Sequence, residues 1–321
     1  MNCISDNSSF PLPVHDKTGW PWTGEYPSIP ETMTDGSPWP KISVVTPSFN
    51  QGKYIEETIR SVLLQGYPNL EYFIIDGDSR DNSVEIIKKY EPWLNYWITE
   101  PDTGQTNAIN KGMSRASGKI LAYLNSDDIY MPYTFRLVAD IFQTWSSIQW
   151  ITGHRSHLVE DRVISPMPNA CWIFNQKMFQ KGFHTAWFFG VNQQPSTFWK
   201  RDLFNKAGGQ FDENFECSMD IDLWIKMSKI TDLVYLRAVL TAMRQHADQK
   251  SGRLGLDYKE IEGHSDRYGF YPLWLRKILF AGIQVPVVRG LLRRSWCDGK
   301  GRAVQWDKKK HQWILTEHYL F

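Results

Sequence analysis

Residues 121–132 read Leu-Ala-Tyr-Leu-Asn-Ser-Asp-Asp-Ile-Tyr-Met-Pro, an apolar run that ends in an amide, a hydroxyl and two adjacent carboxylates. The apolar residues predict a strand buried in a core. Two interpretations fit the polar residues Asn125 to Asp128. One is a turn with a helix N-cap, because Asp and Asn favour both positions. The other is a divalent-cation site, because such cations bind carboxylates together with substrate phosphates.

The chain upstream of this stretch repeats the same event. The β-branched run from Ile42 to Thr46 is cut by Pro47, and a second apolar run ends at Asp76. Amphipathic helix patterns separate the runs, which are continuously apolar. This alternation predicts an α/β fold with a parallel sheet buried on both faces. Ligands bind such sheets at the carboxyl ends of the strands, so the polar residues are expected to line one crevice.

The chain downstream continues with a helix pattern at about 135–145, a strand at 148–153 and a loop-rich, aromatic region. Gln193–Trp199 is interpreted either as a set of sugar contacts or as a buried strand. A helix is predicted from about residue 219, and β structure is predicted to end at His246.

Composition limits the class of protein. The chain has 321 residues, a net charge of +1 and 42% apolar residues, which is enough for a large core but gives no basic field for nucleic acid. Its four cysteines form no CxxC pair, which favours a reducing cytoplasm. The N-terminus does not resemble a signal peptide, and no apolar run reaches the roughly 18 residues that span a bilayer.

Three segments in fixed order carry a family resemblance. They are TPSFNQGKYIEETIRSVLLQGYPNLEYFIIDGDSRDNS (46–83), EPDTGQTNAINKGMSRASGKILAYLNSDD (100–128) and GGQFDENFECSMDIDLW (208–224). In combination they resemble family 2 glycosyltransferases of the GT-A fold, of the bacterial surface-polysaccharide type. The resemblance implies a Rossmann-like, mostly parallel central sheet flanked by helices, with a helical C-terminal extension.

The resemblance also implies a domain organisation. Residues 1–40 are rich in Pro and Trp and are expected to form an irregular arm. A catalytic domain at 41–252 is expected to comprise a nucleotide-sugar half at 41–128 and an acceptor half at 129–252. Residues 253–321 are expected to be a helical, basic and apolar extension.

Nucleotide-binding roles follow from the resemblance at matching positions. Asp76 matches an acid that hydrogen-bonds the base, although the family sequence DDGS is altered here to Asp76-Gly-Asp-Ser. Asn125 takes the place of the first acid in the metal-binding motif, and it remains able to accept a hydrogen bond from a ribose hydroxyl. The residues implied to bind the nucleotide are Thr46, Pro47, Phe49, Asn50, Asp76, Asn107, Asn110, Lys111, Asn125 and Ser126.

The metal and catalytic roles also come from the resemblance. Asp127 and His246 are implied to bind Mn²⁺ or Mg²⁺, while Asp128 is expected to support the loop. Asp220 matches the catalytic base, and Met219 replaces the glutamate that usually precedes it. Asp220 and Asp222 are two residues apart, so on a helix they point about 200° apart and only one is expected to face the cleft. Acids at the positive end of a helix are the alternative interpretation.

The resulting hypothesis is an inverting glycosyltransferase that moves a sugar from a nucleotide-diphosphate sugar, with UDP favoured, to a saccharide or lipid-linked acceptor in polysaccharide biosynthesis. The alternatives are a degenerate, non-catalytic nucleotide-sugar binder, which Asn125 and Met219 suggest, and a sugar nucleotidyltransferase. Residues 271–321 mix apolar and basic side chains. They are expected either to pack on the catalytic domain or to contact the inner face of the plasma membrane peripherally.

Overall fold

Strands and helices alternate from Ile42 to Tyr123 in the computed structural model of the chain. The structure describes residues 10–14, 16–23, 26–159, 162–164, 174–184, 188, 192–247, 249, 256–283, 285–288 and 301–318. The strands are β1 (Ile42–Ser48), β2 (Leu70–Asp76), β3 (Tyr96–Thr99), β4 (Ile120–Tyr123), β5 (Ile129–Tyr130), β6 (Trp150–Thr152), β7 (His157–Val159), β8 (Arg162–Ile164), β9 (Thr197–Lys200), β10 (Val234–Leu236), β11 (Thr241–Arg244), β12 (Gly301–Asp307) and β13 (Gln312–His318). The helices are α1 (Ile55–Leu63), α2 (Ser83–Tyr90), α3 (Gln105–Met113), α4 (Thr134–Thr144), α5 (Gln176–Gln180), α6 (Arg201–Lys206), α7 (Met219–Ser228), α8 (Leu256–Gly263), α9 (Ser265–Tyr268) and α10 (Leu273–Ile283).

The central sheet has the strand order β13-β12-β10-β6-β9-β4-β1-β2-β3 within the described residues. Strands β4, β1, β2 and β3 run parallel, and β9 is antiparallel to both of its neighbours. A smaller sheet has the order β5-β11-β7-β8. The mostly parallel sheet predicted from the sequence is therefore confirmed.

Burial on both faces of the sheet explains why its strands are continuously apolar. In β1, Val44 packs into one hydrophobic cluster and its neighbour Val45 packs into the cluster on the opposite face. Gly112 of α3 lies close against Val45. A Cβ atom added to Gly112 would lie only 2.4 Å from a methyl carbon of Val45. Glycine therefore lets α3 pack closely on the strand that leads to the crevice.

The carboxyl ends of β1, β2 and β3 lie at one edge of the sheet. The register pairs Ser48 with Asp76 and Asp76 with Thr99. In β4, Tyr123 pairs with Val45, so the polar stretch that begins at Asn125 emerges at the same edge. The sequence patterns predicted this convergence.

Within the described residues, the N-terminal arm packs on α1 through Arg60. This arginine is 1% exposed and donates hydrogen bonds to the backbone oxygens of Pro11 and Pro21 at 2.8 and 3.1 Å. Its guanidinium also lies over the rings of Phe10 and Trp22. The buried guanidinium of Arg60 thus holds the arm by donating hydrogen bonds to its backbone carbonyls.

The C-terminal extension differs from the prediction in its second part. Residues 256–283 contain α8, α9 and α10, as expected, but residues 301–318 form the hairpin of β12 and β13. Strand β12 pairs in parallel with β10, and Ala303 and Val304 are fully buried. The wholly helical extension was therefore wrong, because pairing with a distant strand determines the structure of a short segment whose composition suits either state.

Candidate active site

A cavity of about 820 Å³ opens at the carboxyl edge of the sheet. This volume falls in the range of roughly 300 to 1,000 Å³ that is usual for small-molecule sites. Its lining comes from the ends of β1, β2 and β4, from α3, from the start of α7 and from the segment that precedes β9. The cavity therefore lies where an open α/β sheet is expected to bind its ligand.

The end of β1 supplies one wall of the cavity. Pro47 and Phe49 line it, and the Phe49 ring is 59% exposed. Thr46 is buried, and its hydroxyl contacts the Tyr72 hydroxyl at 3.0 Å. Asn50 has a φ of 52°, and its side chain accepts a hydrogen bond from the Arg80 backbone N–H at 2.8 Å. Thr46 and Asn50 shape this wall from outside the cavity lining.

Asp76 lies fully buried at the end of β2. Its carboxylate accepts hydrogen bonds from the Ser79 backbone N–H at 2.9 Å and from the Thr99 hydroxyl at 2.8 Å. Gly77 reaches the cavity beside it, and a side chain there would meet Asp102 Oδ2 at 2.6 Å. Asp76 therefore organises the floor of the site, and direct contact with a base stays a prediction.

Asn107, Asn110 and Lys111 lie outside the cavity lining. Asn107 and Asn110 donate hydrogen bonds to Glu213 at 3.1 and 2.9 Å, and Lys111 pairs with Glu100 at 2.6 Å. Helix α3 turns these side chains away from the crevice and presents Gln105 and Ala108 to it. Nucleotide binding by these three residues stays a prediction.

The polar stretch after β4 forms the centre of the cavity. Asn125, Ser126 and Asp127 all line it. The Asn125 side chain accepts a hydrogen bond from Gln105 Nε2 at 2.7 Å, which fixes its orientation. Gln105 had no signal in the sequence, because its role depends on the approach of α3 to this loop.

Asp127 and His246 come together although they are far apart in the chain. Asp127 Oδ2 lies 3.0 Å from His246 Nε2, and the His246 ring packs on Tyr54 with ring centroids 4.6 Å apart. Two neighbouring ligands of an octahedral cation, each at about 2.1 Å, lie about 3 Å apart. The pair predicted from the sequence is therefore spaced as two ligands of one divalent ion.

A metal site in this cavity would be completed by a substrate. Among the described residues, no cluster of three or more His, Cys, Asp or Glu side chains has a geometry suited to a metal ion. Mg²⁺ is commonly held by one or two carboxylates plus substrate phosphates. Asp127 and His246 fit that arrangement, and the remaining positions would be open to a diphosphate.

Asp128 has a different environment from its neighbour. It is 1% exposed, and its Oδ1 accepts a hydrogen bond from the Arg244 backbone N–H at 2.9 Å. Burial and the adjacent Asp127 charge raise the pKa of Asp128 well above its usual range. The side chain of Arg244 donates to the Asp127 carbonyl at 2.9 Å and pairs with Glu57 at 2.9 Å. Asp128 thus ties the loop to β11, in agreement with the supporting role expected of it.

Helix α7 carries the second pair of carboxylates. Asp220, in its first turn, lines the cavity, and its Oδ1 accepts a hydrogen bond from the Ile221 backbone N–H at 2.8 Å. Asp222 is fully buried on the other side, where Tyr268 donates to it at 2.7 Å and Lys226 pairs with it at 2.6 Å. The two acids diverge as the helical period requires.

Tyr123 connects the two carboxylate groups through the floor of the cavity. It is 1% exposed and lines the cavity from the end of β4. Burial, followed by the charges of Asp220 and Asp128, raises the pKa of Tyr123 well above its usual range. The phenol therefore stays neutral, and its environment shows that Asp220 and the loop after β4 share one electrostatic site.

The segment before β9 supplies amide side chains. Gln193 and Gln194 line the cavity, and Gln194 Nε2 donates to the Tyr123 carbonyl at 2.8 Å. Residues 197–200 form the buried strand β9. The structure therefore bears out the buried strand, and sugar contacts from this segment stay a prediction. Arg155 also lines the cavity, and no sequence signal pointed to it because the loop between β6 and β7 has no fixed motif.

Comparisons with known proteins agree with this architecture. The family model described as Glycosyl transferase family 2 matches residues 43–208. An uncharacterized glycosyltransferase of Mycobacterium tuberculosis is 32% identical over 257 residues, covering 75% of this chain and 89% of the relative. A putative teichuronic acid biosynthesis glycosyltransferase of Bacillus subtilis is 40% identical over 92 residues, covering 28% of this chain and 36% of the relative.

Solved structures share the fold at low sequence identity. S. aureus TarS 1–349 in complex with UDP-GlcNAc superimposes with a TM-score of 0.57 and 17% identity, covering 70% of this chain and 66% of that chain. Glucosyl-3-phosphoglycerate synthase from Mycobacterium tuberculosis gives a TM-score of 0.51 and 15% identity, covering 88% of each chain. The chain is therefore a glycosyltransferase that belongs to glycosyltransferase family 2 and has the GT-A fold.

Proposed function

We propose that the protein is an inverting glycosyltransferase that uses a nucleotide-diphosphate sugar, with UDP favoured, and a saccharide or lipid-linked acceptor in polysaccharide biosynthesis. The observation that carries the proposal is that Asp220 and Asp127 line one cavity, with His246 3.0 Å from Asp127. The donor class is supported by TarS, whose structure contains UDP-GlcNAc, and the pathway by the teichuronic acid relative.

The donor would occupy the half of the cavity formed by the ends of β1, β2 and β4. The exposed Phe49 ring offers a face on which a nucleotide base stacks, since base–aromatic stacking contributes about 1 to 3 kcal/mol. Pro47 bounds the same wall. Asn125 and Ser126 would hold the ribose and phosphates through neutral hydrogen-bonding groups.

Asp127 and His246 would hold a divalent cation, and Mn²⁺ and Mg²⁺ both suit such ligands. The synthase with the same fold was solved with Mn²⁺ and UDP. When bound, the ion supplies positive charge to the diphosphate leaving group. Asn125 is neutral. In the proposed site, the carboxylate that the loop after β4 offers to the ion is therefore that of Asp127.

Asp220 would act as the general base. Its carboxylate takes the proton from an acceptor hydroxyl as that oxygen attacks the anomeric carbon. The bond between the anomeric carbon and the diphosphate oxygen breaks on the opposite face, so the configuration inverts. Gln193 and Gln194 lie on the same cavity and offer donors and acceptors that orient sugar hydroxyls.

The Asp220→Asn variant tests the base. We expect turnover to fall by about 10² to 10⁴-fold, the usual contribution of a general base, while donor affinity is retained. Glu216→Gln, which neutralises an exposed carboxylate four residues earlier, is the matched control. Nucleotide release from UDP-sugars with an oligosaccharide acceptor measures turnover, and calorimetry measures UDP affinity. Normal turnover in Asp220→Asn contradicts the assignment of Asp220 as the base. Wild-type protein that binds the donor but releases no nucleotide supports the alternative of a non-catalytic nucleotide-sugar binder.

We also propose that α10 contacts an anionic membrane surface. Trp274 and Ile278 are 63% and 60% exposed one helical turn apart, and Leu273 beside them is 40% exposed. Residues 271–310 contain ten basic and two acidic side chains, which complements anionic lipid headgroups. Within the described residues, no helix has the length and apolar character to cross a bilayer. Binding would therefore be interfacial, and it would bring the cavity to a lipid-linked acceptor.

A further inference from the structure

The side chain of Glu260 lies across the start of helix α7. Its Oε1 accepts a hydrogen bond from the Glu216 backbone N–H at 2.6 Å. Its Oε2 accepts from the backbone N–H groups of Cys217 and Ser218 at 3.0 and 2.9 Å, and from the Ser218 hydroxyl at 2.7 Å. One carboxylate of α8 thus binds four donors immediately before the residue that begins α7.

This contact holds the N–H of Ser218, the N-cap residue of α7, together with the two N–H groups that precede it. Ser218 occupies the N-cap position, but its side chain makes no capping hydrogen bond to the helix and donates to Glu260 instead. The N–H groups at a helix start need partners from outside the helix, and a negative charge is favoured there. Burial opposes ionisation, but the hydrogen bonds from Ser218 and the backbone hold the pKa of Glu260 below its usual value.

A second set of contacts fixes the same region from the following helix. Tyr268 of α9 donates to the buried Asp222 at 2.7 Å. Arg267 pairs with Asp212 at 2.8 Å, at the other end of the loop that leads into α7. Helices α8 and α9 therefore hold both the loop and the first turn of α7.

Asp220 is two residues beyond the hydroxyl and amide that Glu260 binds, and it lines the cavity together with Cys217. We propose that Glu260 is a positioning residue for glycosyl transfer. It fixes the first turn of α7 so that the Asp220 carboxylate is directed at the acceptor hydroxyl. This inference rests on the proposed function, in which Asp220 is the general base. Under this proposal, helix α8, which lies outside the residues 43–208 matched by the family model, helps to position the general base.

Substitution of Glu260 tests the proposal by separating catalysis from binding. For Glu260→Ala we expect kcat to fall by about 10 to 100-fold, since a base displaced by about 1 Å loses up to about 10²-fold. The KM for the donor and the calorimetric affinity for UDP are expected to stay unchanged, because the donor half of the cavity does not touch α8. Glu260→Gln keeps one acceptor oxygen and is expected to restore part of kcat.

Two controls distinguish positioning from general stabilisation. Asp266→Asn removes one exposed carboxylate from the neighbouring helix α9 and is expected to leave kcat unchanged. Thermal melts of all variants define a temperature at which each is fully folded, and kinetics are compared there. An unchanged kcat in folded Glu260→Ala overturns the proposal, as does a loss confined to KM.

A double-mutant cycle with Asp220→Asn completes the test. If Glu260 acts through Asp220, adding Glu260→Ala to Asp220→Asn lowers kcat little further, because residues that act as a unit are not additive. Equal losses in both backgrounds contradict the proposal while leaving the base assignment intact. Normal turnover in Asp220→Asn alone overturns the base assignment and the positioning role together. The failures of the two hypotheses are thereby distinguishable.

Discussion

Adjacent residues Asp127 and Asp128 lie in different environments. Both line the cavity, but Asp127 lies 3.0 Å from His246, whereas Asp128 is 1% exposed and accepts a hydrogen bond from the Arg244 backbone N–H. The raised pKa of Asp128 follows from burial and from the Asp127 charge. Its neighbour stays accessible to solvent and ligands. The family resemblance implied that Asp127 would bind a metal and that Asp128 would support the loop, but Arg244, which fixes the loop, lies 116 residues away in sequence.

Metal dependence is the prediction at the scale of single residues. We expect Asp127→Ala and His246→Ala to weaken UDP binding in the presence of Mn²⁺, because each removes one of two adjacent ligands. Wild-type protein with EDTA should lose affinity to the same extent as Asp127→Ala. Isothermal titration calorimetry with UDP measures these affinities, with Asp266→Asn as the control. Equal affinity of the wild type with EDTA and with Mn²⁺ would exclude a metal at this site.

The secondary-structure elements differ in how far the sequence predicted them. Strands β1 to β4 were predicted because each carries an apolar run, and helix α1 was predicted because its apolar residues recur on one face. The pair β12 and β13 was missed because its seven-residue strands depend on β10 and on each other for their pairing. In the site, motif positions indicated Asp127, Asp220 and His246, whose roles stay predictions. Contacts between elements, such as Glu260 at the start of α7, leave no local signal.

Glu71, in β2, joins three elements and makes them sensitive to acid. Its carboxylate accepts hydrogen bonds from Lys41 at 3.0 Å, from the Ser43 hydroxyl at 2.7 Å and from the Ser117 backbone N–H at 2.8 Å. Burial opposes ionisation, but the hydrogen bonds from Ser117 and Ser43 outweigh it and lower the pKa of Glu71 to about 2. The ionised carboxylate thus links the start of β1 to the turn that precedes β4.

The pH dependence of this contact has a definite sign. The pKa of Glu71 is lower in the folded state than in the unfolded state. Glu71 therefore contributes its full stabilisation above about pH 4.5, and this contribution is lost as the pH falls towards about 2. We expect Glu71→Gln to lower the free energy of unfolding at pH 7 by about 1 to 3 kcal/mol, with the difference shrinking below pH of about 4.5. Urea unfolding measures it, with Glu31→Gln, an exposed glutamate, as the control. A difference independent of pH contradicts the prediction.

At the scale of the whole molecule, the described parts of the N-terminal arm and of the C-terminal extension pack on the central domain. The N-terminal arm is held by the buried Arg60, and the hairpin at 301–318 extends the central sheet. Helix α10 lies between these packed parts, with Arg276 buried against Glu262 and with Trp274 and Ile278 on its opposite, exposed side. The sequence showed the mixture of apolar and basic residues but not which of them would be covered.

Membrane association is the prediction at this scale. We expect the full chain to float with anionic liposomes at low salt and to be released at high salt. Binding would combine insertion of apolar side chains with electrostatic attraction to the headgroups, and salt screens that attraction. The double variant Trp274→Glu/Ile278→Glu should stay at the bottom of the gradient. Leu12→Glu, which alters an 87% exposed leucine in the arm, should float like the wild type. Wild-type protein that remains at the bottom at low salt would support a tail that only packs on the domain.

The position of the hairpin also affects how the chain is made. Strand β10 lies between β6 and β12, so it is an edge strand until residues 301–307 have been synthesised. About 65 residues separate the two strands, and at translation rates of roughly 5 to 20 residues per second this interval lasts about 3 to 13 seconds. During that time the nascent sheet presents unpaired backbone groups to other chains. The edge of β10 that β12 covers in the finished enzyme is therefore exposed for several seconds on the ribosome.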